Sequence, residues 1–80
     1  MKIKVIVTLK KGVLDPQGKA IQQTLIGMGH NNVNEVRQGK YFEIEIDEDD
    51  PSNAEKKIDD MCKKLLANLV IEDYKVSKIQ

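Results

Sequence analysis

Tryptophan is absent from these 80 residues, and the only aromatics are Tyr41, Phe42 and Tyr74. A core must therefore be aliphatic, drawn from Ile, Val, Leu and Met, without the large apolar area that rings supply. Cys62 is the single cysteine, so no internal disulfide can brace the chain. Neither sign of charge is in excess: 13 Lys and Arg face 13 Asp and Glu. No net field draws the chain toward nucleic acid or an acidic membrane. No apolar run is long enough to cross a bilayer, and Met1 leads into a strand-like segment without a signal-type stretch. These absences predict a soluble, cytoplasmic protein whose partners include neither nucleic acid nor membrane. Residues 1–80 make one small domain, at a size where burial only just outweighs chain entropy, and self-association is the natural remedy.

Chemical motifs are missing too. His30 is the one histidine and sits between Gly29 and Asn31. A general base or metal ligand needs a carboxylate, a second His or a Cys at defined spacing, and none is near it. Cys62 falls on the apolar side of a helical pattern, where a buried, inert thiol is expected. Gly12 to Asp15 offers no Cys-x-x-Cys, which rules out a copper-chaperone version of a ferredoxin-like fold. Asp47 to Asp50 lacks the alternating ligands and distal glutamate of a calcium loop. No phosphate-binding glycine motif is present, since Gly27 and Gly29 close a helix rather than open one. Tyr41 and Phe42, as neighbours on a strand, cannot share an RNA-stacking face. No catalytic, cofactor-binding or metal constellation emerges, and the chain reads as a binding or assembly module.

What is present is clear periodicity. Ile3, Val5, Val7 and Leu9 alternate with Lys2, Lys4, Thr8 and Lys10, predicting a half-buried strand over Lys2 to Lys10. Ile6 breaks the polar set and marks a contact on the second face. Asp15-Pro16 reads as an N-cap followed by proline at the first helical position. The helix that follows carries Ile21, Leu25 and Met28 as a stripe toward a sheet, with Gly27 or Gly29 ending it. Gly18 in its first turn is a poor helix former, either tolerated or needed for close approach. The acidic run ending in Asp50-Pro51-Ser52 repeats the device, with Asp50 capping or Ser52 and Glu55 forming a capping box. The second helix predicts Ala54, Ile58, Met61, Leu65 and Leu69 on one face, widened by Cys62 and Leu66, with Asn68 helping to close it. Val70 to Ile79 is a last strand with Tyr74 and Val76 on one side.

The middle of the chain, Val33 to Asp47, is the longest strand-like run. If it is continuous, Val36, Phe42, Ile44 and Ile46 share one face. If instead Gln38-Gly39 is a hairpin turn, Glu35 opposes Phe42 in the middle of that face. The phase favours one long strand, with Gly39 permitting a bend or bulge. A run of fifteen is roughly three times the usual strand length, so a second subunit is expected to share it. The fold class is α+β, a two-layer sandwich related to the ferredoxin-like fold, β-α-β-α-β with a long bent central strand. The alternative is β-α-β-β-α-β with the hairpin. In either case dimerisation completes the sheet.

The block Gly12-Val13-Leu14-Asp15-Pro16-Gln17-Gly18-Lys19-Ala20-Ile21 resembles the PurS family closely. So do Val36-Arg37-Gln38-Gly39-Lys40 and the alternation Phe42-Glu43-Ile44-Glu45-Ile46, and the likeness extends over essentially the whole chain. The resemblance implies a non-catalytic accessory subunit of phosphoribosylformylglycinamidine (FGAM) synthase in de novo purine biosynthesis. That enzyme converts formylglycinamide ribonucleotide, glutamine and ATP to FGAM. The implied partners are a glutaminase subunit of PurQ type and a synthetase subunit of PurL type, bridged by a homodimer or tetramer that supports ammonia transfer. ATP, Mg and glutamine are used by the whole complex, with no cofactor expected on this subunit.

Candidate interface residues fall in the two glycine-containing blocks: Asp15, Gln17, Gly18 and Lys19, then Arg37, Gly39, Lys40 and Tyr41. Capping alone also explains the first block. Arg37 and Lys40 are expected to reach a partner because the sequence offers neither an evident ion-pair partner within the chain. The alternative function is a small-molecule-sensing module of the ACT type or a general protein-interaction module.

Overall fold

The computed structural model describes residues 1–79. Its element order is β1 (Lys2–Leu9), α1 (Pro16–Gly27), β2 (Gly39–Glu45), α2 (Pro51–Met61) continued by a π-helical turn over Cys62–Leu66, and β3 (Glu72–Lys78). The strands form one antiparallel sheet in the order β2-β1-β3. The observed order is thus the expected β-α-β-α-β. The first strand is central because its alternation offers one continuous apolar face: Ile3, Val5 and Val7 are buried, and Val5 stands between Phe42 and Val76. Against that face lie Ile58 and Cys62 of α2 and its extension, with Ala67 in the same cluster, and Ala54 is buried as well. The core is aliphatic and small. Ile6 lies on the open face, paired with Tyr41 on one side and Lys75 on the other.

Both helices start as the Asp-Pro pairs predict. Asp15 caps α1 through the Gly18 amide, and Asp50 caps α2 through the Ser52 amide, so Asp50 rather than Ser52 is the cap. α1 ends in a Schellman motif: Gly29 takes φ +102°, its amide donates to the Ile26 carbonyl, and the His30 amide reaches back to Leu25. Asn68 lies past the end of the second helix. Its side chain and carbonyl accept from Val70, Ile71 and Glu72, shaping the turn into β3.

Several expectations are corrected. The fifteen-residue strand is not continuous: pairing starts at Gly39, and Val33 to Gln38 lies alongside α1. The reason is register. Gly39 already pairs with Thr8 at the end of β1, so nothing among the described residues stands opposite the residues before it. Nor does that stretch fold back on β2 as a hairpin among the described residues. Gly39 makes no bulge, because the register runs without a slip to Lys2–Glu45, and its φ is not positive. What excludes a side chain there is proximity: a Cβ would lie 2.6 Å from the Val7 carbonyl oxygen.

The α1 stripe does not face the sheet. α1 forms no packed interface with the strands or α2, leaving Ile21 exposed and Met28 67% exposed. The buried stripe of the second helix is also narrower than expected. Ala54, Ile58 and Cys62 are inside, whereas Met61, Leu65 and Leu69 are exposed. The Ala67 amide bonds the Cys62 carbonyl five residues back, and this wider turn carries Leu65 outward. Ala67 is already extended, so Leu69 lies outside the helix. Finally, β3 begins at Glu72 instead of Val70.

The molecule is consequently elongated, 49 × 26 × 14 Å with a radius of gyration of 16.0 Å. A compact chain of this length has a radius near roughly 12 Å. The excess is the arm made by α1 and Val33 to Gln38, which stands away from the sheet-and-α2 body.

Candidate interaction site

Two segments cross between body and arm: the outgoing loop from Lys10 to Asp15 and the returning stretch at Arg37-Gln38. Both are held at one joint. Asp15 is the only buried polar residue among those described, at 7% exposure, and each carboxylate oxygen has a donor. Oδ1 accepts from the Gly18 amide at 2.8 Å and Oδ2 from the Gln38 amide at 2.8 Å. The Gln38 amide chiefly, then that of Gly18, with help from the Arg37 charge, holds the carboxyl below its ordinary 3.8 despite burial. The Arg37 guanidinium donates to the Val13 carbonyl at 3.0 Å and the Lys10 carbonyl at 3.1 Å, tying the return to the outgoing loop.

The arm itself is stapled along its length. Gln22 Nε2 donates to the Asn34 carbonyl at 2.8 Å and the Val33 carbonyl at 3.3 Å. Gly18 packs so closely on the return that a Cβ there would stand 2.2 Å from the Val36 carbonyl oxygen. Close approach, not tolerance, explains this glycine.

The eight candidate residues separate on this geometry. Asp15, Gly18 and Arg37 are engaged within the chain. Gln17, Gly39 and Lys40 line a cleft of about 360 Å³ beside Asp15, floored by Val7 and Leu9 and bounded by Glu72. The Lys40 ammonium lies 3.9 Å from the Glu72 carboxylate, so it has a loose partner inside the chain. Lys19 borders a second cleft, with Leu14, Gln22 and Val36, on the other side of Asp15. Tyr41 is 57% exposed on the open face of the sheet, apart from the joint. Sequence reasoning missed Gln22, whose acceptors are main-chain carbonyls with no side-chain signature. It also missed Gln38, which contributes a backbone amide.

Two apolar surfaces accompany this joint. One is the arm, with Leu14, Ile21, Ile26 and Met28 exposed; the other gathers Leu65, Leu69, Val70 and Ile71 near the turn into β3. Among the described residues no three His, Cys, Asp or Glu side chains, His30 included, are grouped to hold a metal. Cys62 is fully buried, and burial pushes its thiol above the ordinary 9.0, keeping it protonated. No helix is long and apolar enough to cross a membrane among the described residues.

Comparison with known proteins matches residues 2–80 to the PurS family model, described as phosphoribosylformylglycinamidine (FGAM) synthase. Phosphoribosylformylglycinamidine synthase subunit PurS of Bacillus subtilis is 51% identical over 74 residues, which is 92% of this chain and 87% of that one. The protein of the same name from Methanocaldococcus jannaschii is 47% identical over 81 residues, covering 99% and 98%. Among solved structures, a chain of PurLQS from Thermotoga maritima superposes with a TM-score of 0.89 at 28% identity, covering 98% of this chain and 95% of that one.

Proposed function

From the premise that the chain belongs to the PurS family of FGAM synthase, we propose that it serves as that enzyme's small accessory subunit in purine biosynthesis. It contributes no reacting group of its own. It couples a PurQ-type glutaminase to a PurL-type synthetase, so that ammonia released from glutamine reaches the ATP-dependent amidation of formylglycinamide ribonucleotide. ATP, Mg and glutamine are handled by the larger subunits. The observation that carries this reading is the match along residues 2–80, joined to a likeness over almost the full chain to part of PurLQS.

The subunit acts as a homo-oligomer, dimer or tetramer, formed through the arm. Three features support this. Ile21 and Met28 are too exposed for a solitary chain. The dimensions are those of an open shape. Val33 to Gln38 continues β2 beyond the end of β1, where a strand from a second copy can pair with it. A cytoplasmic setting suits such a complex. No observation favours the amino-acid-sensing module.

Reconstitution tests the proposal. The two larger subunits are assayed for FGAM formation with glutamine and, separately, with ammonia, each with and without this chain. Glutamine-dependent turnover is expected only in its presence, whereas ammonia-dependent turnover proceeds without it. Full glutamine-dependent turnover in its absence would reject the role.

A further inference from the structure

We infer that Asp15 is a positioning residue that sets the angle at which the arm leaves the body, and through that angle the geometry in which two copies meet. This rests on the reading that the arm mediates self-association.

The chain contains its own comparison. Asp50 occupies the same Asp-Pro position at the start of α2, is exposed, and its carboxylate accepts, among the described residues, only from the Ser52 amide two residues on. A cap needs one oxygen. Asp15 is buried, and its second oxygen reaches the Gln38 amide 23 positions away. Capping does not account for that bond. Gln38 immediately precedes the first residue of β2, and Asp15 immediately precedes the first residue of α1. The carboxylate therefore joins the two crossings at their shared root.

Arg37 adds a second tie between the same crossings, through the Val13 and Lys10 carbonyls. Further out, Gln22 and the Gly18 contact bind α1 to the return stretch, so the arm moves as one piece. A rigid arm on a single root is a lever. Its twelve-residue helix is about 18 Å long, so a rotation of ~10° at the root carries the tip by about 3 Å. Such a displacement takes an apolar stripe out of contact with a packed partner face.

Asp15→Asn and Asp15→Ser separate cap from tie, because Asn and Ser cap as well as Asp does. Asn turns an N–H2 donor toward the Gln38 N–H, and Ser has no second oxygen. The experiment uses the full chain and reads three quantities: helical circular dichroism, hydrogen exchange of the Gln38 amide, and the association constant from sedimentation equilibrium. Both variants should keep the helical signal, exchange Gln38 at least about tenfold faster and associate at least about tenfold more weakly, in line with loss of one charge-assisted bond. Asp50→Asn should leave association unchanged. Wild-type association with Gln38 set free would overturn the inference. So would loss of helical signal in both variants, which reduces Asp15 to a folding residue. If the wild-type chain sediments only as 9.1 kDa particles at micromolar concentration, the underlying reading fails before any variant is made.

Discussion

Tyr74 on β3 donates its hydroxyl to the Asp59 carboxylate on α2, and Lys63 approaches the same carboxylate at 3.2 Å. The bond to Asp59, reinforced by burial, pushes the Tyr74 hydroxyl from 10.0 up to about 12, while the Tyr74 and Lys63 bonds hold Asp59 below 3.8. The folded state thus binds the tyrosine proton more tightly than the unfolded chain does. The resulting stability is present in full below pH 10 and is lost as pH rises through about 12. Wild type should therefore lose more stability over this window than Tyr74→Phe, as read from urea midpoints against pH; parallel curves would contradict the assignment. On the acid side, Asp15, Glu48 and Asp59 are all held below their ordinary values. Their contributions are present above those values and fade as pH falls through the lowered ones. Glu48 owes its shift first to Lys57, whose ammonium lies 2.7 Å away.

At the scale of elements, the second helix gives the sharpest test. Ile58 is fully buried against β1, while Leu65, one turn past the start of the π segment, is 83% exposed. Ile58→Ala should cost about 2–5 kcal/mol of unfolding free energy, and Leu65→Ala should stay within roughly 0.5 kcal/mol. Chemical denaturation at one fixed protein concentration measures both, and equal costs would mean that the stripe runs through Leu65 after all. The first strand and the first cap were legible in the sequence because each writes itself in side chains, strict alternation in one case and Asp-Pro in the other, whereas Asp50-Pro51-Ser52 left two caps open for the second helix. The π turn was not. Its distinguishing feature is a carbonyl bonded five residues on, and Met61-Cys62-Lys63-Lys64-Leu65-Leu66 suits an ordinary helix equally well. The joint was half legible. Asp15 announced itself as a cap, but its distant partner is an amide that every residue except proline possesses. Arg37 looked unpartnered for the same reason, since its hydrogen-bond acceptors are carbonyls and the Glu35 carboxylate approaches only to 3.9 Å.

At the scale of the whole molecule, the arm's surface and the body's core make separable predictions. Ile21 lies on α1, remote from the cluster formed by Ile3, Val5, Val7, Ile58 and Cys62. Ile21→Glu combined with Leu25→Glu should shift the chain from oligomer toward monomer in sedimentation velocity while leaving the β-sheet spectrum nearly unchanged. A collapse of the sheet would show instead that α1 belongs to the body's core. The continuous central strand expected from the apolar phase has the right residues facing inward from Phe42 to Ile46. Its upstream half lacks a ladder partner among the described residues, and no pattern in a single sequence says where the neighbouring strand will end.

The placement of β1 has a kinetic consequence. Val5 pairs with Phe42 on one side and Val76 on the other, so both of its seams close large loops, and contacts of that kind form late. The arm needs only neighbours from one short span, Asp15 to Gln38. During refolding, amide protection in α1 should therefore precede protection in β1. The surface proposed to meet another copy is then available while the sheet is still open, and the earliest segment of the chain is the last to find its neighbours.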